Sequence, residues 1–175
     1  WIQHIRTYCG YAIDEEDRLP SRHVASGAHL PTWTGGASTE VSIGCEEDLV
    51  SYKVGYFVGS LSAESINRSL SKALISVAPR DLEFHEIGIG DLPLYNRDLD
   101  SDYPESARAL KQAIADSQAL LFITPEYNRS IPGALKNAID WASRPWGENS
   151  FDHVPTAVIG ASPGGIGTAV AQQSL

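Results

Sequence analysis

The chain has 175 residues, of which 42% are hydrophobic and 20% charged, a composition that suits one globular domain and excludes a disordered or fibrous protein. Its formal net charge of −9 argues against a nucleic-acid partner, because duplex binding needs a basic surface. No run approaches the roughly 18 apolar residues of a membrane span, and the N-terminus lacks the layout of a signal peptide, so we expect a cytoplasmic protein without membrane contact.

The first 49 residues differ in pattern from the rest of the chain. Their apolar residues follow neither the strand nor the helix period, and Gly, Ser, Thr and Pro are frequent between Pro20 and Gly44. Cys9 and Cys45 lack the spacing of a disulfide framework or a metal site, so no metal is expected. The pattern predicts an irregular extension over residues 1–49 and one domain over residues 50–175.

From residue 50 onward, predicted strands alternate with predicted helices. Short apolar runs predict strands over residues 53–58, 82–87, 119–124 and 156–160. Helices are predicted after the first strand, over 103–115, after Ser130, and near 168–173. The first helix would bury an apolar stripe made of Ile66, Leu70, Ala73, Leu74 and Val77, and the third a stripe made of Leu135, Ala138, Ile139 and Ala142.

Strands that are apolar on both faces and alternate with helices predict an α/β fold, with a parallel sheet and helices on both faces. Two doubly wound sheets satisfy this pattern, the dinucleotide-binding type and the flavodoxin-like type with strand order 2-1-3-4-5. Both bind ligands beyond the carboxyl ends of their strands, where the strand order reverses. The loops at those ends must therefore decide between them.

The loop after the first strand, residues 59–68, is rich in hydroxyl groups. Ser60, Ser62, Ser65 and the amide of Asn67 precede or begin a helix whose positive dipole end attracts anions. These features suit a phosphate, although Ser65 is also an ordinary N-cap. The loop matches neither G-x-x-x-x-G-K-[ST] nor G-x-G-x-x-G, which argues against nucleotide hydrolysis and the dinucleotide fingerprint.

The loop after the third strand contains the run Pro125-Glu126-Tyr127-Asn128. A planar heteroaromatic ligand needs a flat wall and peptide groups directed at its polar edge, and this run can supply both. The alternative is a tight turn that leads into a helix capped by Ser130. From the residues alone, both interpretations stay open.

The loop after the fourth strand raises the possibility of a serine hydrolase, because residues 160–164 match G-x-S-x-G with Ser162 at the serine position. The oxyanion hole of that motif uses the N–H of the next residue, and Pro163 has none. No acid or histidine follows to complete the expected order of Ser, acid and His. The chemistry therefore argues against hydrolysis.

Four segments in order carry a resemblance to a known family. They are Gly59-Ser60-Leu61 with Ser65-Ile66-Asn67-Arg68, Leu92-Pro93-Leu94-Tyr95-Asn96, Pro125-Glu126-Tyr127-Asn128 with residues 131–141, and residues 160–165. Together they resemble the NADPH-dependent FMN reductase family, which includes quinone, azo-dye and chromate reductases, over about residues 52–175.

The resemblance implies a flavodoxin-like sheet of order 2-1-3-4, with the fifth strand of the family not found before the chain stops at Leu175. It implies FMN as cofactor and NADPH or NADH as co-substrate. Electrons would pass to a quinone-, azo-, metal-oxyanion- or flavin-type small molecule, in a homodimer or homotetramer. No catalytic side chain is expected, because the flavin carries the hydride transfer. The alternative is a redox-inactive flavodoxin-like binding module.

The resemblance also implies the cofactor-binding residues. On the phosphate side they are Ser60, Leu61, Ser62, Ser65, Ile66 and Asn67. Around the isoalloxazine ring they are Pro125, Glu126, Tyr127 and Asn128 on one side and Ser162, Pro163, Gly164 and Gly165 on the other. Many relatives carry Arg where this chain has Ser62, so we expect weaker FMN retention here.

Overall fold

A computed structural model describes residues 51–175, and the predicted extension over residues 1–49 lies outside them. The elements in chain order are β1 (Tyr52–Val58), α1 (Ile66–Val77), β2 (Leu82–Glu86), a 3-10 turn (Arg97–Leu99), α2 (Glu105–Ala115), β3 (Ala119–Ile123), α3 (Gly133–Ala142), β4 (Thr156–Ile159) and α4 (Ala169–Gln172). Each predicted strand is confirmed to within one residue at either end. The loop between β2 and α2 contains the 3-10 turn.

The four strands form one parallel sheet in the order β2-β1-β3-β4. Val54 of β1 pairs with Phe84 of β2 on one side and Ala119 of β3 on the other. Ile123 of β3 lies opposite Val58 and Ile159. The predicted flavodoxin-like order 2-1-3-4 is confirmed.

Side chains alternate between the two faces of the sheet, as the two-residue period of a strand requires. Phe57, Leu120 and Phe122 pack against α2 and α3, and the Phe57 and Phe122 rings stack with centroids 4.7 Å apart. Leu121 and Ile123 point to the opposite face, where α1 contributes its half-buried Leu residues. The prediction of helices on both faces is confirmed.

Trp141 of α3 is the largest fully buried side chain of the core. Tyr95 and Tyr103 meet its ring edge to face, at centroid distances of 5.1 and 5.0 Å. Burial, and secondarily the charge of Asp100, raises the pKa of Tyr103 to about 12. The indole N–H donates to the Pro93 carbonyl at 2.7 Å, so this aromatic cluster holds the loop after β2 against α3.

Lys111 of α2 binds backbone carbonyl groups at the end of α3 and in the loop that follows it. Its ammonium group donates to the carbonyl oxygens of Ala142, Arg144 and Glu148 at 3.2, 2.6 and 2.7 Å. The last carbonyls of a helix have no partner within it, and a cation there also complements the negative end of the helix dipole. This one side chain thus ties α2 to α3 and to the loop that follows.

The stripe predicted to be buried on α1 is only partly confirmed: Leu70 and Leu74 are half-buried and pack against the core, but the other members are exposed. Asn67 and Ser71 are buried there, whereas Ile66 is 49% and Val77 82% exposed. Asn67 pairs with the backbone of Ala161, and the buried line of the helix runs through Asn67 and Ser71 beside the two leucines. Apolar periodicity contains no information about such a partner.

The stripe on α3 is largely confirmed, with Ile139 only half-buried, but the predicted cap is wrong. The residue before α3 is Pro132, and no side chain caps that helix. Ser130 instead closes the preceding turn through its backbone, and its hydroxyl donates to Ser174 at 3.3 Å. Proline suits this position because the first helical N–H groups have no partner within the helix.

Candidate functional site

The loops after β1, β3 and β4 begin side by side at the carboxyl edge of the sheet. The Gly59 N–H donates to the Ile123 carbonyl at 2.8 Å, and the Thr124 N–H donates to the Ile159 carbonyl at 3.0 Å. Between β1 and β3 the chain order of the strands reverses, which is where doubly wound sheets bind their ligands. The structure therefore brings the three predicted site loops together at that point.

Two glycines allow these loops to lie so close. A Cβ on Gly59 would be 2.6 Å from Thr124 Oγ1, and a Cβ on Gly160 would be 2.1 Å from the Thr124 carbonyl oxygen. Thr124 itself is fully buried, and its hydroxyl donates to the Pro125 carbonyl at 2.9 Å. Sequence reasoning missed Thr124, because a buried threonine at a strand end has no signature of its own.

The loop after β1 presents the start of α1. Ser65 is confirmed as its N-cap, with Oγ accepting from the Arg68 N–H at 3.3 Å, and Ser60 Oγ accepts from the Ser62 N–H at 3.3 Å. The first turn of α1 carries no acidic residue. A helix end of this kind offers free N–H groups and a positive partial charge, so the loop suits an anion. Leu61, Ser62 and Ile66 are exposed beside it.

Asn67 lies just inside α1 and is 1% exposed. Its Nδ2 donates to the Ala161 carbonyl at 2.9 Å, and its Oδ1 accepts from the Ala161 N–H at 2.8 Å. The amide thus joins the loop after β1 to the loop after β4. Sequence reasoning could not find this pair, because its members are 94 residues apart.

The loop after β3 is a tight turn. The Tyr127 and Ser130 backbones exchange two hydrogen bonds, of 2.9 and 3.1 Å, and the residues between them, Asn128 and Arg129, both have positive φ, 52° and 63°. Asparagine tolerates that left-handed region better than most residues. The turn leaves Tyr127 half exposed with Pro125 buried behind it, so a tight turn and a wall for a ligand are compatible.

Glu126, in the same loop, has an unusual carboxylate. Its Oε2 is buried and has no hydrogen-bond partner among residues 51–175. A buried acceptor left unpaired costs free energy, which a ligand with a suitably placed N–H donor would recover.

The loop after β4 is a Gly-rich turn. Ser162 Oγ accepts from the Gly164 N–H at 3.2 Å, while Pro163, Gly164 and Gly165 are exposed. The two histidines of the described residues, His85 and His153, make no hydrogen bond to Ser162; His85 lies 3.1 Å from Ser117 Oγ. Nothing in this geometry assembles a hydrolase triad.

A further clamp fixes the loop after β2. The Tyr95 N–H donates to Asn137 Oδ1 at 2.8 Å, and Asn137 Nδ2 donates to the Pro93 carbonyl at 2.9 Å. The Tyr95 hydroxyl donates to Asp100 at 3.0 Å and accepts from Arg144 Nε at 3.0 Å. That bond raises the pKa of the Arg144 guanidinium.

Comparison with known proteins matches this architecture to a family. A family model described as NADPH-dependent FMN reductase covers residues 52–175. The chain belongs to the NADPH-dependent FMN reductase family. Within the described residues, no helix of this family member is long and apolar enough to cross a membrane, and no group of three or more His, Cys, Asp or Glu side chains could hold a metal ion.

Three similar proteins illustrate the relationship. A 2-hydroxy-1,4-benzoquinone reductase from a Burkholderia species is 58% identical over 123 residues, which cover 70% of this chain and 67% of that protein. A quinone reductase from Pseudomonas putida is 50% identical over 117 residues, covering 66% and 63%. The structure of FerB, a flavoenzyme NAD(P)H:(acceptor) oxidoreductase from Paracoccus denitrificans, is 56% identical with a TM-score of 0.67, covering 70% and 67%. The chain thus spans about two thirds of the length of the relatives that it matches.

The residues at the carboxyl edge fit FMN, the cofactor that the family implies. The free N–H groups at the start of α1 suit its phosphate, and the half-exposed Tyr127 offers a flat surface to its ring. The unpaired Oε2 of Glu126 suits the ring N–H that an isoalloxazine carries. This chain thus provides the three features that FMN binding needs: an anion site, a flat wall and a hydrogen-bond acceptor.

Proposed function

We propose that this chain carries the FMN-binding part of an NAD(P)H-dependent oxidoreductase whose acceptor is a quinone. The observation that carries the proposal is the convergence of three loops, after β1, β3 and β4, at the point where the strand order reverses. The names of the relatives support the acceptor class, since two of them are quinone reductases at 50% identity or more. Azo compounds, metal oxyanions such as chromate and free flavins are further acceptors to test.

The phosphate side of the proposed site is formed by the loop after β1. Ser60, Ser62 and Ser65 supply hydroxyls, and the first N–H groups of α1 supply donors and a positive dipole end. Leu61 and Ile66, both exposed beside the loop, cover the apolar part of the ligand. Asn67 holds this loop to the one after β4.

The ring side is formed by the other two loops. Pro125 and Tyr127 form one wall, the Glu126 carboxylate accepts from a ring N–H, and the backbone of Asn128 continues the polar edge. The turn of Ser162, Pro163, Gly164 and Gly165 would hold the ring from the other side, where backbone N–H groups would act as donors to its polar edge.

FMN, when bound, supplies the redox chemistry, and no side chain of this chain acts as acid, base or nucleophile. In the overall reaction, one hydride from NAD(P)H and one proton from water reduce the quinone to a hydroquinone and leave NAD(P)+. The loops bind and orient both substrates in turn. The carboxyl edge of the sheet is open, so the nicotinamide and then the acceptor can reach the same exposed face one after the other.

The absorption spectrum of the purified protein after incubation with FMN tests the proposal. We expect a flavin band that NADPH or NADH bleaches under anaerobic conditions and that 1,4-benzoquinone restores. A colourless protein that does not quench FMN fluorescence would support the redox-inactive binding module instead. Bound flavin that neither nicotinamide reduces would contradict the proposed activity.

The remaining predictions concern the whole protein. We propose a cytoplasmic location and a homodimer or homotetramer, together with the division into an extension over residues 1–49 and a domain over 50–175. Cell fractionation, light scattering after size exclusion, and limited proteolysis test these three in turn. Cleavage confined to residues 1–49 is the expected proteolytic result.

A further inference from the structure

Asn67 is placed to hold two loops of the site together. Both polar atoms of its side chain are engaged by one residue, Ala161, whose backbone N–H and carbonyl are in turn both satisfied by Asn67. In the part of the chain that the structure describes, these two bonds are the only hydrogen bonds that join residues 160–165 to another element. The Gly-rich turn is therefore tied to the start of α1 at a single point.

The position of this tie matters because β4 is an outer strand of the described sheet. Its neighbour β3 lies between β4 and β1, so the loops after β1 and β4 have no shared strand ladder. Asn67 crosses that gap over the end of β3, where Gly160 already packs against the Thr124 carbonyl. The Asn67 side chain is 1% exposed and makes two hydrogen bonds to Ala161, so it fixes the distance between these two loops.

We infer that Asn67 is a positioning residue that sets the separation between the phosphate side and the Gly-rich turn of the site. The inference rests on the proposed flavin function. It differs from a direct contact between Asn67 and the phosphate in one measurable way. A phosphate contact raises the affinity only for a ligand that has a phosphate, whereas a positioning residue also raises the affinity for the ring alone.

Riboflavin, which has the ring but no phosphate, separates the two roles. The experiment titrates the full-length apoprotein with FMN and with riboflavin, following flavin fluorescence, for the wild type and Asn67→Ala. We expect the variant to lose about tenfold in affinity for both flavins, the equivalent of one or two buried hydrogen bonds. An unchanged riboflavin affinity with weakened FMN binding would make Asn67 a phosphate ligand and overturn the inference. So would an unchanged affinity for both.

A second variant covers the case in which Asn67→Ala does not fold. Asn67→Asp keeps an acceptor for the Ala161 N–H but places an oxygen against the Ala161 carbonyl in place of the donor. Its riboflavin affinity should also fall, and riboflavin contains no phosphate that the new charge could repel. Unchanged riboflavin binding by this variant would again refute a positioning role.

Two control variants define the readout. Asn137 also makes two side-chain bonds to a backbone, here to the Tyr95 N–H and the Pro93 carbonyl, and so joins α3 to the loop after β2. Asn137→Ala should lower the unfolding midpoint as Asn67→Ala does, while keeping riboflavin affinity within about twofold of wild type. An equal loss in both variants would mean general destabilisation and refute the inference. Ser62→Ala should weaken FMN alone, which shows that the assay detects a phosphate contact.

Amide hydrogen exchange tests the tie without any flavin. In Asn67→Ala, exchange at Ala161 should accelerate by about tenfold or more, because its N–H loses its partner, while the amides of β1 keep wild-type rates. Unchanged exchange at Ala161 would refute the tie itself. A wild-type protein that binds neither flavin would instead refute the proposed function, and the exchange result would still decide whether Asn67 holds the turn.

Discussion

Gly160→Ala adds a single methyl group, and the structure predicts that it destabilises the fold strongly. The added Cβ would lie 2.1 Å from the Thr124 carbonyl oxygen and 2.7 Å from Thr168 Oγ1. To restore a separation of 3.0 Å, the carbonyl must move by about 0.9 Å. Thr124 cannot yield freely, because its N–H bonds the Ile159 carbonyl at 3.0 Å and its side chain is fully buried.

The cost follows from those two contacts. Overpacking a close-packed site costs about 1–3 kcal/mol, and loss of the bond between β3 and β4 adds about 1 kcal/mol. The free energy of unfolding should therefore fall by about 2–4 kcal/mol, which lowers Tm by roughly 8–16 °C in a domain of this size.

Urea unfolding followed by far-ultraviolet circular dichroism measures the change. Gly88→Ala is the matched control, because a Cβ there would meet nothing within 4 Å, and it should be neutral or slightly stabilising. If Gly160→Ala unfolds within about 0.5 kcal/mol of the wild type, the close crossing of the two loops does not exist in solution and the reasoning fails.

Three further predictions address charge and hydrogen bonding. Ser62→Arg should tighten FMN binding about five- to tenfold by adding a charge beside the start of α1, with riboflavin unaffected; fluorescence titration measures it, and equal gains for both flavins would contradict it. Lys111→Met should lower the free energy of unfolding by about 1–3 kcal/mol in urea, because the carbonyls of Ala142, at the end of α3, and of Arg144 and Glu148, in the following loop, lose this donor. An unchanged midpoint would contradict this. The pKa of Tyr103, raised to about 12, makes its neutral form a source of stability that is complete below pH 10 and lost as the pH rises to 12. Unfolding of the wild type and Tyr103→Phe at pH 9 and 11 should show the larger loss in the wild type; equal losses would assign the alkaline effect to other groups.

The sequence predicted those parts of the fold that depend on local spacing. A short run that is apolar on both faces, such as 119–123, predicts an inner strand of a covered sheet, and the structure confirms it. The strand order 2-1-3-4 came from the resemblance carried by the loop motifs, since apolar patterning alone left two doubly wound folds open. The Ser65 cap was also predictable, because capping is a contact between near neighbours.

The errors arose where a distant partner outweighed local spacing. Ile66 and Val77 fit a buried stripe on α1, yet both are exposed, and Asn67, which pairs with Ala161, is buried instead. Ser130 fits a cap for α3, yet it closes the turn that begins at Tyr127. In both cases a polar group pairs with a partner that the helical period does not describe. Leaving a buried polar group unpaired costs more free energy than exposing part of an apolar stripe.

The sequence by itself thus determined which segments form strands and helices, and so which loops lie at the carboxyl ends of the strands, because those properties depend on residues a few positions apart. Only the tertiary structure decided how closely the loops approach. Gly59 and Gly160 on either side of Thr124, and the amide of Asn67 on Ala161, set that distance through contacts between residues far apart in the chain. Such contacts form only when the sheet assembles, so no local pattern records them.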